Sequence, residues 1–192
     1  MGRLSVWLLL LLALVLIAVN VVEIFAEQAT EKPKITVRKL PSHTVLYTIY
    51  RGSYDKMGQA IGNLYALAGE KGVYPRGALS CVYLNNPQFV SSEHWLTEIR
   101  IPVGEEALKL AGTLGEMTDV KTLPAMDVAV AVKPEGVVDP NPIYENLELW
   151  IHKEGYSAIE GPMEIFLTNG AMGSYAQMKS EIMIPIKKFS DI

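Results

Sequence analysis

Glu98-Ile99-Arg100-Ile101-Pro102-Val103 is answered later in the chain by Glu181-Ile182-Met183-Ile184-Pro185-Ile186. The same displacement of 83 positions (181 from 98, 120 from 37) carries Val37-Arg38-Lys39-Leu40-Pro41 onto Val120-Lys121-Thr122-Leu123-Pro124. Between these anchors Gly72 falls on Gly155, and Tyr83-Leu84-Asn85-Asn86 on Phe166-Leu167-Thr168-Asn169, without a gap. Two supersecondary units that keep register over such a length are expected to form one pseudo-symmetric domain, because each half-sheet buries an apolar face by packing with its twin. The cleft between the halves is then the natural place for function.

Within the first unit, Val45-Leu46-Tyr47-Thr48-Ile49-Tyr50 is rich in β-branched and aromatic residues and ends at Arg51-Gly52, which reads as a strand closing in a turn. Ser53 is placed to cap a helix whose apolar positions Met57, Ala60, Ile61, Leu64, Leu67 and Ala68 recur at three and four, ending near Gly69 to Gly72. Strand-like runs follow at 78–84 and 95–103, separated by Asn85-Asn86-Pro87. The second unit repeats the order. It has a strand at 127–132, a helix carrying Ile143, Leu147, Trp150 and Ile151 that stops at Gly155, and strands at 163–167 and 180–187. The expected fold is α+β: a tandem β-α-β-β duplication forming a pseudo-two-fold antiparallel sheet with helices on one face. Repeat one spans 35–103, repeat two 120–189, and the linker 104–119 carries a short amphipathic helix.

Before the domain, Leu4 to Val22 is apolar except at Ser5 and Asn20, long enough to reach nearly across the ~30 Å hydrocarbon core. A cleavable signal has a shorter apolar core and small residues at its cleavage site. Here the last apolar turn runs Val22-Glu23-Ile24-Phe25-Ala26, so 1–26 reads as an uncleaved transmembrane anchor and 27–34 as a polar tether. Arg3 before the segment and Glu23, Glu27 and Glu31 after it put the N-terminus in the cytoplasm and the domain outside it. A net charge of −4 argues against a nucleic-acid surface, which needs clustered Lys and Arg. Cys81, the single cysteine, allows no intrachain disulfide, and His43, His94 and His152 share no metal-ligand spacing. No phosphate-loop, nucleophile-elbow or cofactor motif is present, so neither a metal nor a cofactor is expected.

The repeated glutamate is the sharpest chemical signal. Strand periodicity puts Ile182, Ile184 and Ile186 on one face, toward the helices, and Glu181 and Met183 on the other. Glu98 has Arg100 beside it on its own face, whereas Glu181 has Met183 there, so Glu98 is expected to be balanced and Glu181 uncompensated. An unbalanced carboxylate on a dry concave face is the environment of a general acid/base or of an anchor for a cation. A solvated carboxylate on an open sheet would look the same in sequence. Aromatic residues are the second signal. Tyr47, Tyr50, Tyr54, Tyr65, Tyr74, Tyr83, Trp95, Tyr144, Trp150, Tyr156 and Phe166 lie in or beside the repeated elements, and aromatic faces around one acid suit a lipophilic cation.

Tyr50-Arg51-Gly52-Ser53-Tyr54 ahead of a helix, then Gly72-Val73-Tyr74-Pro75, Tyr83-Leu84-Asn85-Asn86-Pro87, and Ser180-Glu181-Ile182-Met183-Ile184-Pro185-Ile186 near the end together resemble the GyrI-like small-molecule-binding domain. This is the effector-binding domain of multidrug-responsive transcription activators, similar in fold to SOUL haem-binding proteins. The resemblance covers about Ile35 to Phe189. It implies a ligand cleft between two β-α-β-β copies, with Glu181 at its bottom as the partner of cationic lipophilic ligands. Lys133-Pro134-Glu135-Gly136-Val137 departs from the pattern where the first repeat has its Tyr-x-Gly-x-Tyr motif, and a membrane segment stands where a helix-turn-helix would.

These observations give a membrane-tethered, extracytoplasmic domain that binds a small amphipathic or cationic molecule. Glu181 is its charged anchor, and Met183, Tyr50, Tyr74, Tyr83, Trp95 and Glu98 are further ligand-binding residues. One alternative is a hydrolase in which Glu181 activates water and Tyr74 or Tyr83 polarises the substrate. The other, from the SOUL resemblance, is haem or tetrapyrrole binding.

Overall fold

Strand-forming residues in each repeat assemble a single nine-stranded antiparallel sheet. Its strands are β1 (Thr36–Leu40), β2 (His43–Arg51), β3 (Ser80–Tyr83), β4 (Leu96–Val103), β5 (Thr118–Leu123), β6 (Met126–Lys133), β7 (Tyr156–Ala158), β8 (Met163–Phe166) and β9 (Ser180–Lys188). Among the described residues the α-helices are α1 (Met57–Glu70) and α2 (Asn141–Lys153). The structure is a computed structural model that describes residues 34–167 and 175–191. The anchor assigned to 1–26, and the tether except Lys34, lie outside the described residues. Among the described residues no helix is long and apolar enough to cross a membrane.

The sheet order is β1-β6-β9-β8-β3-β4-β2-β5, with β7 added on β9. Read from either edge, this order visits equivalent strands of the two repeats, as the duplication requires. Each repeat nevertheless holds a strand more than expected at its start, because the Val37 and Val120 anchors are themselves strands, making the shared unit β-β-α-β-β, to which repeat two adds the short β7. These first strands are exchanged: β1 of repeat one pairs with β6 of repeat two, and β5 of repeat two pairs with β2 of repeat one. β5 begins inside the segment read as linker, and the helix expected there is a 3-10 turn, Glu105–Leu110, anchored by buried Ala107.

α1 follows a 3-10 turn at Tyr54–Lys56 that Ser53 precedes, but the Ser53 side chain makes no capping bond; instead its carbonyl accepts the Tyr50 hydroxyl at 2.9 Å. α2 starts where the Asp139 carboxylate accepts the Asn141 N–H at 3.0 Å and Pro142 occupies the first turn. Both helices end at the same repeat position, Gly72 (φ +65°) and Gly155 (φ +76°), left-handed conformations in which a side chain would be strained.

α1 turns Met57, Leu64 and Ala68 onto Leu46, Ile99 and Ile101, and α2 turns Ile143, Leu147 and Ile151 onto Ala129, Ala131, Ile182, Ile184 and Ile186. The isoleucines of β9 thus meet a helix, as the strand period requires. Each fully buried Leu or Ile contributes about 1.5–3 kcal/mol of transfer free energy, so these two stripes fix which sheet face the helices cover. On the opposite face Val82, Val128, Val130, Met163 and Met183 form a third apolar cluster.

Candidate functional site

Glu181 and Glu98, the residues the repeat singles out, lie on the face away from the helices, and both are paired. Glu98 is buried; its Oε1 accepts Arg100 Nε at 2.5 Å and Lys121 Nζ at 2.7 Å. Glu181 receives both terminal nitrogens of Arg38, at 2.7 Å each. Arg38 and Lys121 are the same repeat position on the exchanged strands, so one ion pair is built twice across the duplication. The expectation that Glu181 is uncompensated is therefore corrected: its countercharge arrives from β1, a strand absent from the sequence reading. The Arg38 hydrogen bonds hold the Glu181 carboxyl below its ordinary value, against a smaller opposing effect of burial. Met183 belongs to the apolar cluster of that face.

The helical face carries a different arrangement at the centre of the sheet. β3 and β8 pair with Ser80 opposite Ile165, Cys81 opposite Glu164 and Val82 opposite Met163. Cys81 and Glu164 are equivalent in the two repeats, so the internal dyad passes between them. Both are fully buried. The Glu164 carboxylate accepts hydrogen bonds from the hydroxyls of Tyr83 (2.8 Å), Tyr175 (2.9 and 3.0 Å) and Ser180. Lys133, also fully buried, donates to the carbonyls of Tyr175 (3.2 Å) and Met178 (2.5 Å), and its ammonium lies 4.4 Å from the centre of the Tyr175 ring.

Partly buried aromatic rings stand beside this buried polar group. Tyr54 packs between Tyr83, at 5.4 Å between ring centres, and Trp95, at 4.4 Å. Trp95 is fixed by its indole N–H, which donates to the Val90 carbonyl at 3.1 Å. Tyr144 of α2 comes from the other half. Burial, and after it the charge of Glu164, pushes the phenols of Tyr83, Tyr144 and Tyr175 well above their ordinary range. The Cys81 thiol is pushed up to about 12 by the same two causes in the same order. These groups therefore share one desolvated environment around a single acid.

Of the residues expected from sequence, Tyr83 and Trp95 are brought together through Tyr54. Tyr50 packs against the first core, and Tyr74 is 75 % exposed and stands apart from the rest. Glu181, Met183 and Glu98 share the opposite face. Glu164, Lys133, Tyr175 and Ser180 were missed. The signal for the two charged ones lay in the repeat itself: Glu164 replaces Cys81, and Lys133 replaces Tyr50. None of His43, His94 and His152 is among the groups bonded to Glu164, and among the described residues no three His, Cys, Asp or Glu side chains converge as metal ligands. A separate shallow cavity of about 250 Å³ is lined by Thr48, Ala60, Asn63, Leu64, Leu67 and Thr118 and holds no group with catalytic chemistry.

A duplicated, helix-backed antiparallel sheet with an acid at its dyad places the domain in the α+β class. Residues 15–104 match the family description "GyrI-like small molecule binding domain", a match that ends where the first repeat ends. The structure is similar to the EcmrR chain of a cryo-EM EcmrR–DNA complex, with 14 % identity, 97 % of this chain and 70 % of that one covered, and a TM-score of 0.69. It is also similar to the EcmrR C-terminal domain (14 % identity, 81 % and 98 % covered, TM-score 0.66). A hydrolase from Listeria innocua shares the fold as well (16 % identity, 84 % and 97 % covered, TM-score 0.60). No curated protein matches the sequence.

Proposed function

We propose that this GyrI-like domain binds a small amphipathic molecule on the helical face of the sheet, at the internal dyad, and is held outside the cytoplasm by the apolar segment at 1–26. One observation carries the ligand reading: Tyr83 bonds to a fully buried carboxylate, Glu164, and a row of rings, Tyr83, Tyr54 and Trp95, leads away from it, with Tyr144 near enough to feel its charge. Soluble folds seldom bury an acid at 0 % exposure unless its hydrogen bonds serve a purpose, and aromatic faces beside it provide area for an apolar ligand body. The charged group of the site is then Glu164 and not Glu181, which Arg38 already occupies. A hydrolase built on Glu181 loses its basis for the same reason, since a carboxylate held below its ordinary range is a poor general base.

Calorimetric titration of the full chain in lipid nanodiscs, blanked against empty discs, with a panel of aryl lipophiles tests the reading. Saturable one-to-one binding is expected, weakened at least tenfold by Tyr83→Ala or Tyr54→Ala and unchanged in Glu181→Gln. Saturable binding that survives both tyrosine changes and is lost in Glu181→Gln would place the ligand on the other face. Conversion of a panel member to product, abolished by Glu164→Gln, would make the protein an enzyme. For the anchor, the full chain should stay with membranes through alkaline carbonate extraction, a chain starting at residue 27 should not, and protease added to intact cells or spheroplasts should cut the domain.

A further inference from the structure

Glu164 is not the sole charge buried on the helical face. Lys133 comes from the end of β6, which the duplication makes equivalent to Tyr50, so a cation stands where the first repeat has an aromatic ring. Its ammonium caps one face of Tyr175 at 4.4 Å, while the hydroxyl of that ring donates to Glu164. The two charges are thus linked through a single side chain. Two further hydroxyls, of Tyr83 and Ser180, complete the carboxylate's hydrogen bonds. Burial pulls the Lys133 pKa down and the Glu164 charge pushes it back up, as expected of two groups that feel each other in a desolvated region.

A buried acid selects a cation only when its charge is uncompensated, because attraction to the ligand must exceed the loss of ligand hydration. Resting on the proposed binding site, we infer that Lys133 neutralises Glu164 across the Tyr175 ring and thereby sets the site to take uncharged aryl or amphipathic ligands in preference to lipophilic cations. The carboxylate then serves to orient tyrosine hydroxyls, and the Tyr54, Tyr83, Trp95 and Tyr144 rings supply the contact. Lys133 acts as a specificity-determining residue through its charge, without touching the ligand.

The test uses two probes of similar shape, triphenylphosphine oxide (uncharged) and tetraphenylphosphonium (cationic), titrated into the full chain in nanodiscs with empty discs as blank. The wild type should bind the oxide at least tenfold more tightly. Lys133→Met should shift that ratio toward the cation by tenfold or more, and Lys133→Arg should keep the wild-type preference. If Lys133→Met fails to fold, the wild-type ratio decides alone. A wild type that binds the cation as tightly as the oxide overturns the inference while leaving the binding site standing, as does a folded Lys133→Met with an unchanged ratio. Saturable binding of neither probe would overturn the site itself and this inference with it.

Discussion

Cys81 and Glu164 face each other across the central β3–β8 pair as one position of two repeats, and this relationship explains an otherwise isolated defect. In the second repeat Ser180 donates its hydroxyl to Glu164. Its equivalent in the first repeat, Thr97, is fully buried, and its hydroxyl has no partner among the described residues. Thr97 occupies the place from which a hydroxyl would serve an acid at position 81, and position 81 is a thiol. Two carboxylates directly opposed on a buried dyad would repel, so one acid per pair is the stable arrangement, and the second hydroxyl is left without its bond.

Thr97→Val keeps the shape and removes the orphaned hydroxyl. An unsatisfied buried hydroxyl costs about 1–3 kcal/mol, so the substitution should stabilise the fold by about 1 kcal/mol. Ser180→Ala, its mirror, withdraws a donor from a buried carboxylate and should destabilise by about 1–3 kcal/mol. Urea midpoints of the two variants should move in opposite directions; movement in the same direction would contradict this account of the dyad.

The doubled ion pair is unequal in burial, and its two copies should differ in energy. Glu98→Gln leaves buried Arg100 without its countercharge and should cost about 3–5 kcal/mol. Glu181→Gln breaks a pair whose arginine is 45 % exposed and should cost about 1 kcal/mol or less. The Glu181 pKa is depressed in the folded state, so its contribution is present above the ordinary value of 4.5 and is lost as pH falls through the lower, folded value. Arg38→Met should remove that part of the acid sensitivity, and denaturation midpoints between pH 3 and 6 would show it.

Much of the fold could be read from the chain because apolar spacing records which side of an element is buried: Leu64 and Ala68, Leu147 and Ile151, and the alternate isoleucines of β9 all face where their periods point. β1 was not readable. Four of its five residues are exposed, so no alternation is imposed on Thr36 to Leu40, and with β1 went the partner of Glu181. The site was obscured for a related reason. Glu98 and Glu181 are alike in both copies because each is needed for the same structural pair, whereas Glu164 and Lys133 are found by asking where the copies differ in charge at a buried position. Tyr175 has Ser92 as its equivalent, so no repeated residue marks it, and it could be placed only by the folded chain.

Alkaline pH should destabilise the domain earlier than exposed groups would. The Cys81 thiol is raised from 9.0 to about 12, and the Tyr83, Tyr144 and Tyr175 phenols lie above their ordinary 10.0. For groups raised in the folded state, the stabilisation is complete below the unfolded value and is lost as pH climbs toward the folded one, so the decline should begin near pH 9. Cys81→Ala should flatten the first part of that decline. An unchanged pH profile between 8 and 11 in this variant would mean that the thiol is not held protonated by burial.

Because β1 and β5 are exchanged and β3 needs β8 beside it, neither repeat is complete alone. A chain of residues 34–104 keeps β1 but has no β6 to pair it with, and β3 ends as an open edge. Two copies restore every pairing if they meet by the symmetry that the full chain imitates. Such a fragment should therefore fold only as a homodimer, with a denaturation midpoint that rises with concentration. In that dimer the residue opposite Cys81 is Cys81 of the second copy, at a cross-strand Cα separation of roughly 4.5–5.5 Å that falls within the range a disulfide spans. Mild oxidation should then give a dimer band on non-reducing gels, and Cys81→Ser should abolish the band without abolishing the dimer. A folded monomer by light scattering would show that the exchanged strands are dispensable, and a dimer that never cross-links would show that its copies meet elsewhere than along β3.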